Sequence, residues 1–107
     1  MSLRSKEYYR RFGASGGIKY DTGKLRLDLI PPEMHEALGK VLTFGAGKYG
    51  DRNWEAGIDE GRLYAAAQRH LLAHRKGELL DPESGLPHLY HAFCNLGMMC
   101  TLAARNR

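Results

Sequence analysis

Between Pro32 and Ala104 apolar side chains recur at three- and four-residue spacing in three separate runs, and glycines close the first two. That period matches the turn of an α-helix, and it commits most of the 107-residue chain to an all-α fold. The first run predicts a helix over 32–47. Met34, Ala37, Leu38, Val41 and Phe44 form its apolar stripe, Pro32 suits its first turn, and Gly45, Gly47 and Gly50 end it. The second predicts a helix from Asp59 or Glu60 to Lys76, capped by Asp59 and stopped at Gly77. Leu63, Ala66, Ala67, Leu71 and His74 lie on one side of it, and His70 beside them. The third predicts a helix over 87–104, with Leu89, Phe93, Leu96, Cys100 and Ala103 as its stripe and His88, His91 and Asn95 on another line at i, i+3 and i+7. The implied architecture is a small bundle of three main helices behind an irregular basic N-terminal segment.

The N-terminal part reads differently. Four glycines interrupt residues 1–31 and Pro31-Pro32 closes them, so no helical period is sustained. Leu25, Leu27 and Leu29 alternate with Arg26 and Asp28, as in a short extended strand. The first 30 residues hold seven Lys/Arg against three acids, whereas the rest hold nine of each, so the net charge of +4 lies wholly in this arm. A basic arm on a neutral body suits an anionic partner, either nucleotide or nucleic acid; a solvated tail is the plain alternative. Residues 1–15 are expected to be a flexible basic segment and 16–107 a single helical domain. A chain of this size buries only about two-thirds of its unfolded surface, so help from a second copy is expected. No apolar run approaches the roughly 20 residues of a membrane helix and no signal peptide opens the chain, which places the protein in the cytoplasm, away from membranes. Cys94 and Cys100 point apart on a helix and read as small apolar residues, not as a metal knuckle.

Four of the five histidines stand at helical spacings: His70 with His74, and His88 with His91. Between the pairs runs Glu78-Leu79-Leu80-Asp81-Pro82-Glu83, with three carboxylates. Antiparallel packing of the second and third helices gathers His70, Glu78, Asp81, His88 and His91 at one end of a hairpin. Such a mixed nitrogen and oxygen donor set suits Mn²⁺, Zn²⁺ or, less well, Mg²⁺. His70 can equally be a core histidine and Asp81-Pro82 a simple turn. A second candidate is the segment 45–54, which offers a flexible backbone, Lys48, Arg52, Asn53 and the only tryptophan, Trp54. Those are parts for holding phosphates and stacking a base; the alternative is that Trp54 plugs the core under the loop. The glycine-lysine segment around Lys19 and Lys24 lacks the spacing of a P-loop.

Three gapped stretches then carry a resemblance. They are Lys19-Tyr20-Asp21-x-Gly23-Lys24-x-Arg26-x-Asp28-Leu29-x-Pro31-Pro32-Glu33, Val41-Leu42-x-Phe44-Gly45-Ala46-x-Lys48-Tyr49-Gly50-x-Arg52-Asn53-Trp54, and Arg69-His70-Leu71 through Gly77-Glu78-x-x-Asp81-Pro82-Glu83-x-Gly85-x-x-His88-Leu89-x-His91-Ala92. Together they make residues 16–104 resemble the N-terminal domain family of phage dATP/dGTP diphosphohydrolases, itself similar in style to the all-α MazG-type nucleotide pyrophosphohydrolases. The resemblance implies metal-dependent cleavage of purine deoxynucleoside triphosphates and a dimeric or tetrameric assembly. MazG-type enzymes hold Mg²⁺ with Glu-x-x-Glu and Glu-x-x-Asp; here the third helix carries His88-x-x-His91, and the second carries Arg69-His70 where acids are expected. The implied metal set is therefore His70, Glu78, Asp81, His88 and His91, with Glu78, His88 and His91 as the catalytic groups. Lys19, Lys24, Arg26, Lys48 and Arg52 would take phosphate oxygens, Trp54 or Tyr49 would stack on the base, and Asn53 would read its edge. The competing reading is a non-catalytic module that grips nucleotide or single-stranded nucleic acid.

Overall fold

In the computed structural model, the described residues are Ile18, Tyr20 and 22–106; Lys19 and the expected flexible segment 1–15 lie outside them. Three α-helices carry the fold: α1 (Pro32–Tyr49), α2 (Glu60–Arg75) and α3 (His88–Arg105). Among the described residues there is no strand. The Leu25–Leu29 alternation does not produce one, because Leu27–Leu29 winds into a single 3-10 turn, with the Leu29 and Ile30 amides donating to Arg26 and Leu27 carbonyls. A strand needs a neighbour to satisfy its backbone, and among the described residues no extended segment pairs with this one; the Arg26 guanidinium instead donates two bonds to the Asp28 carboxylate. A second 3-10 turn, Asn53–Ala56, links α1 to α2.

The helices follow the sequence period with ends shifted by one or two residues. Pro32 opens α1 at its first turn. Asp59 does precede α2, but its side chain makes no capping bond; its carbonyl instead accepts from the Arg62 and Leu63 amides. Past the end of α2, Gly77 adopts φ +99°, its amide donates to the His74 carbonyl and the Glu78 amide to the Ala73 carbonyl. That is a Schellman closure, which asks for a residue without Cβ.

α2 and α3 pack together as the main pair, and α1 packs against α3. The small core contains Ala37 and Val41 of α1, Leu63 and Ala67 of α2, and Ala92 and Cys94 of α3. α3 does not bury the stripe that its apolar residues predict. Leu89, Phe93 and Leu96 are 43%, 37% and 49% exposed and Cys100 is exposed, whereas His88 is only 5% exposed and His91 and Asn95 are half-buried. The histidine line of α3 faces the other helices, and its most apolar line faces outward. No helix of the described residues is long and apolar enough to cross a membrane.

Candidate metal centre

The loop from Gly77 to Pro87 is longer than most helix connections and is closed by its own backbone. His88 donates its amide to the Leu79 carbonyl at 2.9 Å and Asp81 donates to the Leu86 carbonyl at 2.8 Å, flanking a bridge between Leu80 and Pro87. Gly85, at φ +73°, returns its amide to the Asp81 carbonyl at 2.7 Å. This tight return sets Asp81 beside the first turn of α3. Antiparallel packing brings His70, near the end of α2, to the same place.

Three donors converge there: His70, Asp81 and His88 each offer one ligand atom, all within 4.8 Å of one another. The Nδ1 atoms of His70 and His88 are 2.8 Å apart and share one proton in a hydrogen bond. His91 lies against them, its ring stacked on His70 with centroids 4.6 Å apart and planes 12° apart, and the Phe44 ring meets His91 edge-on at 6.2 Å. Ser84 completes the group. Its amide and hydroxyl both donate to Asp81 Oδ2 at 2.9 Å, its Oγ accepts from the Leu86 amide at 3.1 Å, and Oγ lies 2.6 Å from His91 Nε2.

The electrostatics favour neutral rings beside an ionised acid. Burial, with the neighbouring imidazoles, holds His70 below the usual histidine range, and burial does the same for His91 despite the Asp81 carboxylate nearby. Burial alone would raise Asp81, but the Ser84 amide and hydroxyl and the adjacent His91 together hold its carboxyl below the ordinary range. Neutral imidazole and ionised carboxylate are the forms that bind a cation. Buried polar atoms also need partners, and His88 Nε2 is buried without one, with Glu78 Oε1 3.7 Å away. A histidine that faces a cation with one nitrogen and a carboxylate with the other is a recurrent metal arrangement. The residues present therefore fit a divalent ion.

The expected site residues divide by position. His70, Asp81 and His88 are brought together, His91 lies alongside, and Glu78, exposed, stands behind His88 and outside the converging donors. His74 is half-buried nearer the end of α2 and joins no group of converging donors. An open cleft runs from this cluster to the end of α1 and is lined by Lys48, Arg52, Asn53, Trp54, His70, Asp81 and His91, so the two candidate segments face one space. Lys48 reaches Glu83 across it, and that partner raises the lysine above its ordinary range. Arg52, in a left-handed conformation at φ 56°, is 3.6 Å from Glu55, which also binds Arg105 at 2.6 Å. Trp54 is half-buried. Lys24 and Arg26 are exposed and do not line the cleft.

Three polar residues at the cleft or beside the cluster lie outside the set that the sequence points to. Arg62 and Arg69 line the cleft; their separation of seven residues puts them on one face of α2, a legible signal. Ser84 is the other, and Asp81-Pro82-Glu83-Ser84 is a turn sequence in which an aspartate accepts from the residue three positions on.

Comparison with known proteins agrees with these stretches. The family described as dATP/dGTP diphosphohydrolase, N-terminal, matches residues 14–107. A protein of Salmonella phage PMBT28, named dATP/dGTP diphosphohydrolase, is 44% identical over 80 residues, 75% of this chain. The match spans 27% of that relative, so this chain corresponds to about a quarter of its length. No solved structure matches the chain. The chain belongs to the dATP/dGTP diphosphohydrolase N-terminal family.

Proposed function

We propose that this chain binds a divalent cation through His70, Asp81 and His88 and acts on purine deoxynucleoside triphosphates, releasing the monophosphate and pyrophosphate. The observation that carries the reading is the convergence of two imidazoles and a carboxylate within 4.8 Å at the end of a cleft that Lys48, Arg52, Arg62 and Arg69 line together with several acids. Family membership supplies the substrate class, since the phage relative is named for dATP and dGTP. A cation held there would neutralise phosphate charge and lower the pKa of a bound water. Lys48, Arg52, Arg62 and Arg69 bind the phosphates, Trp54 packs against the base, and Asn53 reads its edge. Glu78 orients His88, and His91 takes or returns a proton beside the cation. Mn²⁺ or Zn²⁺ is the preferred ion, Mg²⁺ the weaker one.

We also propose that the exposed Leu89–Phe93–Leu96 line of α3 is covered by a second copy, making the protein a homo-oligomer. The hydrolytic reading is tested by incubating the protein with dATP or dGTP and Mn²⁺, Mg²⁺ or Zn²⁺ and separating the products. Metal-dependent monophosphate that disappears in His70→Ala and His88→Ala supports it; turnover that survives both overturns the site. Metal-dependent nucleotide binding without turnover would leave a binding module.

A further inference from the structure

The hydrogen bonds around Ser84 permit one arrangement of protons. A hydroxyl has a single hydrogen to donate and two lone pairs to accept with. Ser84 Oγ has three polar neighbours: Asp81 Oδ2 at 2.9 Å, the Leu86 amide at 3.1 Å and His91 Nε2 at 2.6 Å. An amide can only donate, so Leu86 occupies one lone pair. A carboxylate oxygen can only accept, so the hydroxyl hydrogen goes to Asp81. One lone pair remains, and His91 Nε2 must carry the hydrogen that fills it. The opposite choice, Ser84 donating to His91, would face two acceptors, Oγ and Oδ2, at 2.9 Å with no hydrogen between them.

From this geometry we infer that Ser84 is a positioning residue that holds His91 as its Nε2–H tautomer and Asp81 as a fixed acceptor, leaving Nδ1 as the basic nitrogen of His91. The distinction matters because the two ring nitrogens do different work, and the one that is protonated cannot accept a proton or a cation. The Ser84 amide and hydroxyl both donate to the same Asp81 oxygen, which leaves Oδ1 of that carboxylate without a bond from Ser84. Ser84 therefore sets the protonation of one group at the centre and the orientation of another without itself being a ligand. Its usefulness to the protein rests on the cation reading above; the proton arrangement itself does not.

The test uses the whole chain labelled with ¹⁵N and long-range proton–nitrogen correlation of the imidazoles at a pH where all are neutral. His91 is expected to show a protonated-type Nε2 and an unprotonated-type Nδ1. Ser84→Ala should convert it to an exchange average or to the Nδ1–H form, and Ser84→Thr, which keeps the hydroxyl, should restore the wild-type pattern. Titration of the same proteins with Mn²⁺ and Zn²⁺ should show affinity about 10–100-fold weaker in Ser84→Ala, the usual effect of losing an outer partner, and near wild type in Ser84→Thr. An Nδ1–H tautomer in the wild type overturns the inference, whether or not metal binds, and needs no variant to fold. Wild-type affinity retained by a folded Ser84→Ala overturns the positioning role. Failure of the wild type to bind either ion defeats the cation reading and leaves the tautomer result standing.

Discussion

At the scale of single residues, the decisive feature is that α3 buries imidazoles. His88 is almost sealed, and its Nδ1 shares a proton with His70 while its Nε2 has only a distant carboxylate. Removing Asp81, an anionic donor, should weaken Mn²⁺ or Zn²⁺ binding in Asp81→Ala by at least the roughly 10–100-fold typical of outer partners, read by isothermal titration. Glu78→Gln keeps shape but removes charge behind His88. It should weaken binding within that same range, roughly 10-fold, with little change in unfolding. The metal-free protein should also lose stability on acidification. Burial holds His70 and His91 below the ordinary histidine value of about 6.5, so the unfolded chain takes up protons that the folded chain refuses. Their stabilisation is present above pH 6.5 and is lost as pH falls from there through the folded pKa values. Asp81, held below 3.8, adds a second loss as pH falls below that value. Urea midpoints measured in chelator across this range check both; a midpoint unchanged below pH 6.5 would contradict the buried neutral rings.

At the scale of elements, the loop between α2 and α3 carries the site because its backbone closes on itself. The Schellman turn at Gly77 releases the chain from α2 in a fixed direction, and the Leu79–His88 and Asp81–Leu86 bonds return it to α3. A Cβ at Gly77 would meet no neighbour, but its φ of +99° is costly for any other residue. Gly77→Ala should therefore cost about 1 kcal/mol or more, lowering the melting temperature by about 4–8 °C. The loss should arise from the backbone alone, so Mn²⁺ affinity of the folded variant should change less than in Asp81→Ala. The exposed Arg105–Glu55 pair, which ties the end of α3 to the Trp54 turn, is worth little by comparison.

At the scale of the whole molecule, the outward apolar line of α3 is the feature a lone chain explains least. Among the described residues six small or medium apolar side chains make the buried core, while Leu89, Phe93 and Leu96 remain over a third exposed. A second copy laid on this face would remove them from water. Phe93→Glu with Leu96→Glu should shift the sedimenting mass to that of one chain while leaving helical circular dichroism largely intact, since neither side chain is in the core. A wild-type protein that sediments as one chain at high concentration would remove the homo-oligomer from consideration.

The helices were legible because a 3.6-residue period is a local property: Val41, Leu63 and Ala67 fall where the pattern places them, and Gly77 stops α2 by the conformation it permits. The set of candidate ligands was legible as well, since His70, Asp81 and His88 lie on one helix–loop–helix whatever the details. The alternation at Leu25–Leu29 misled because a strand is stabilised by a neighbour, and none of the described residues pairs with it there. Burial of α3 also could not be read from its composition. Hydrophobicity alone predicts Leu89, Phe93 and Leu96 inward; the tertiary structure turns His88 and His91 inward because those side chains meet His70 and Ser84 of the closed loop. Which groups meet, which oxygen Ser84 bonds and which histidine nitrogen is left basic are distances between residues remote in sequence, and packing decided them.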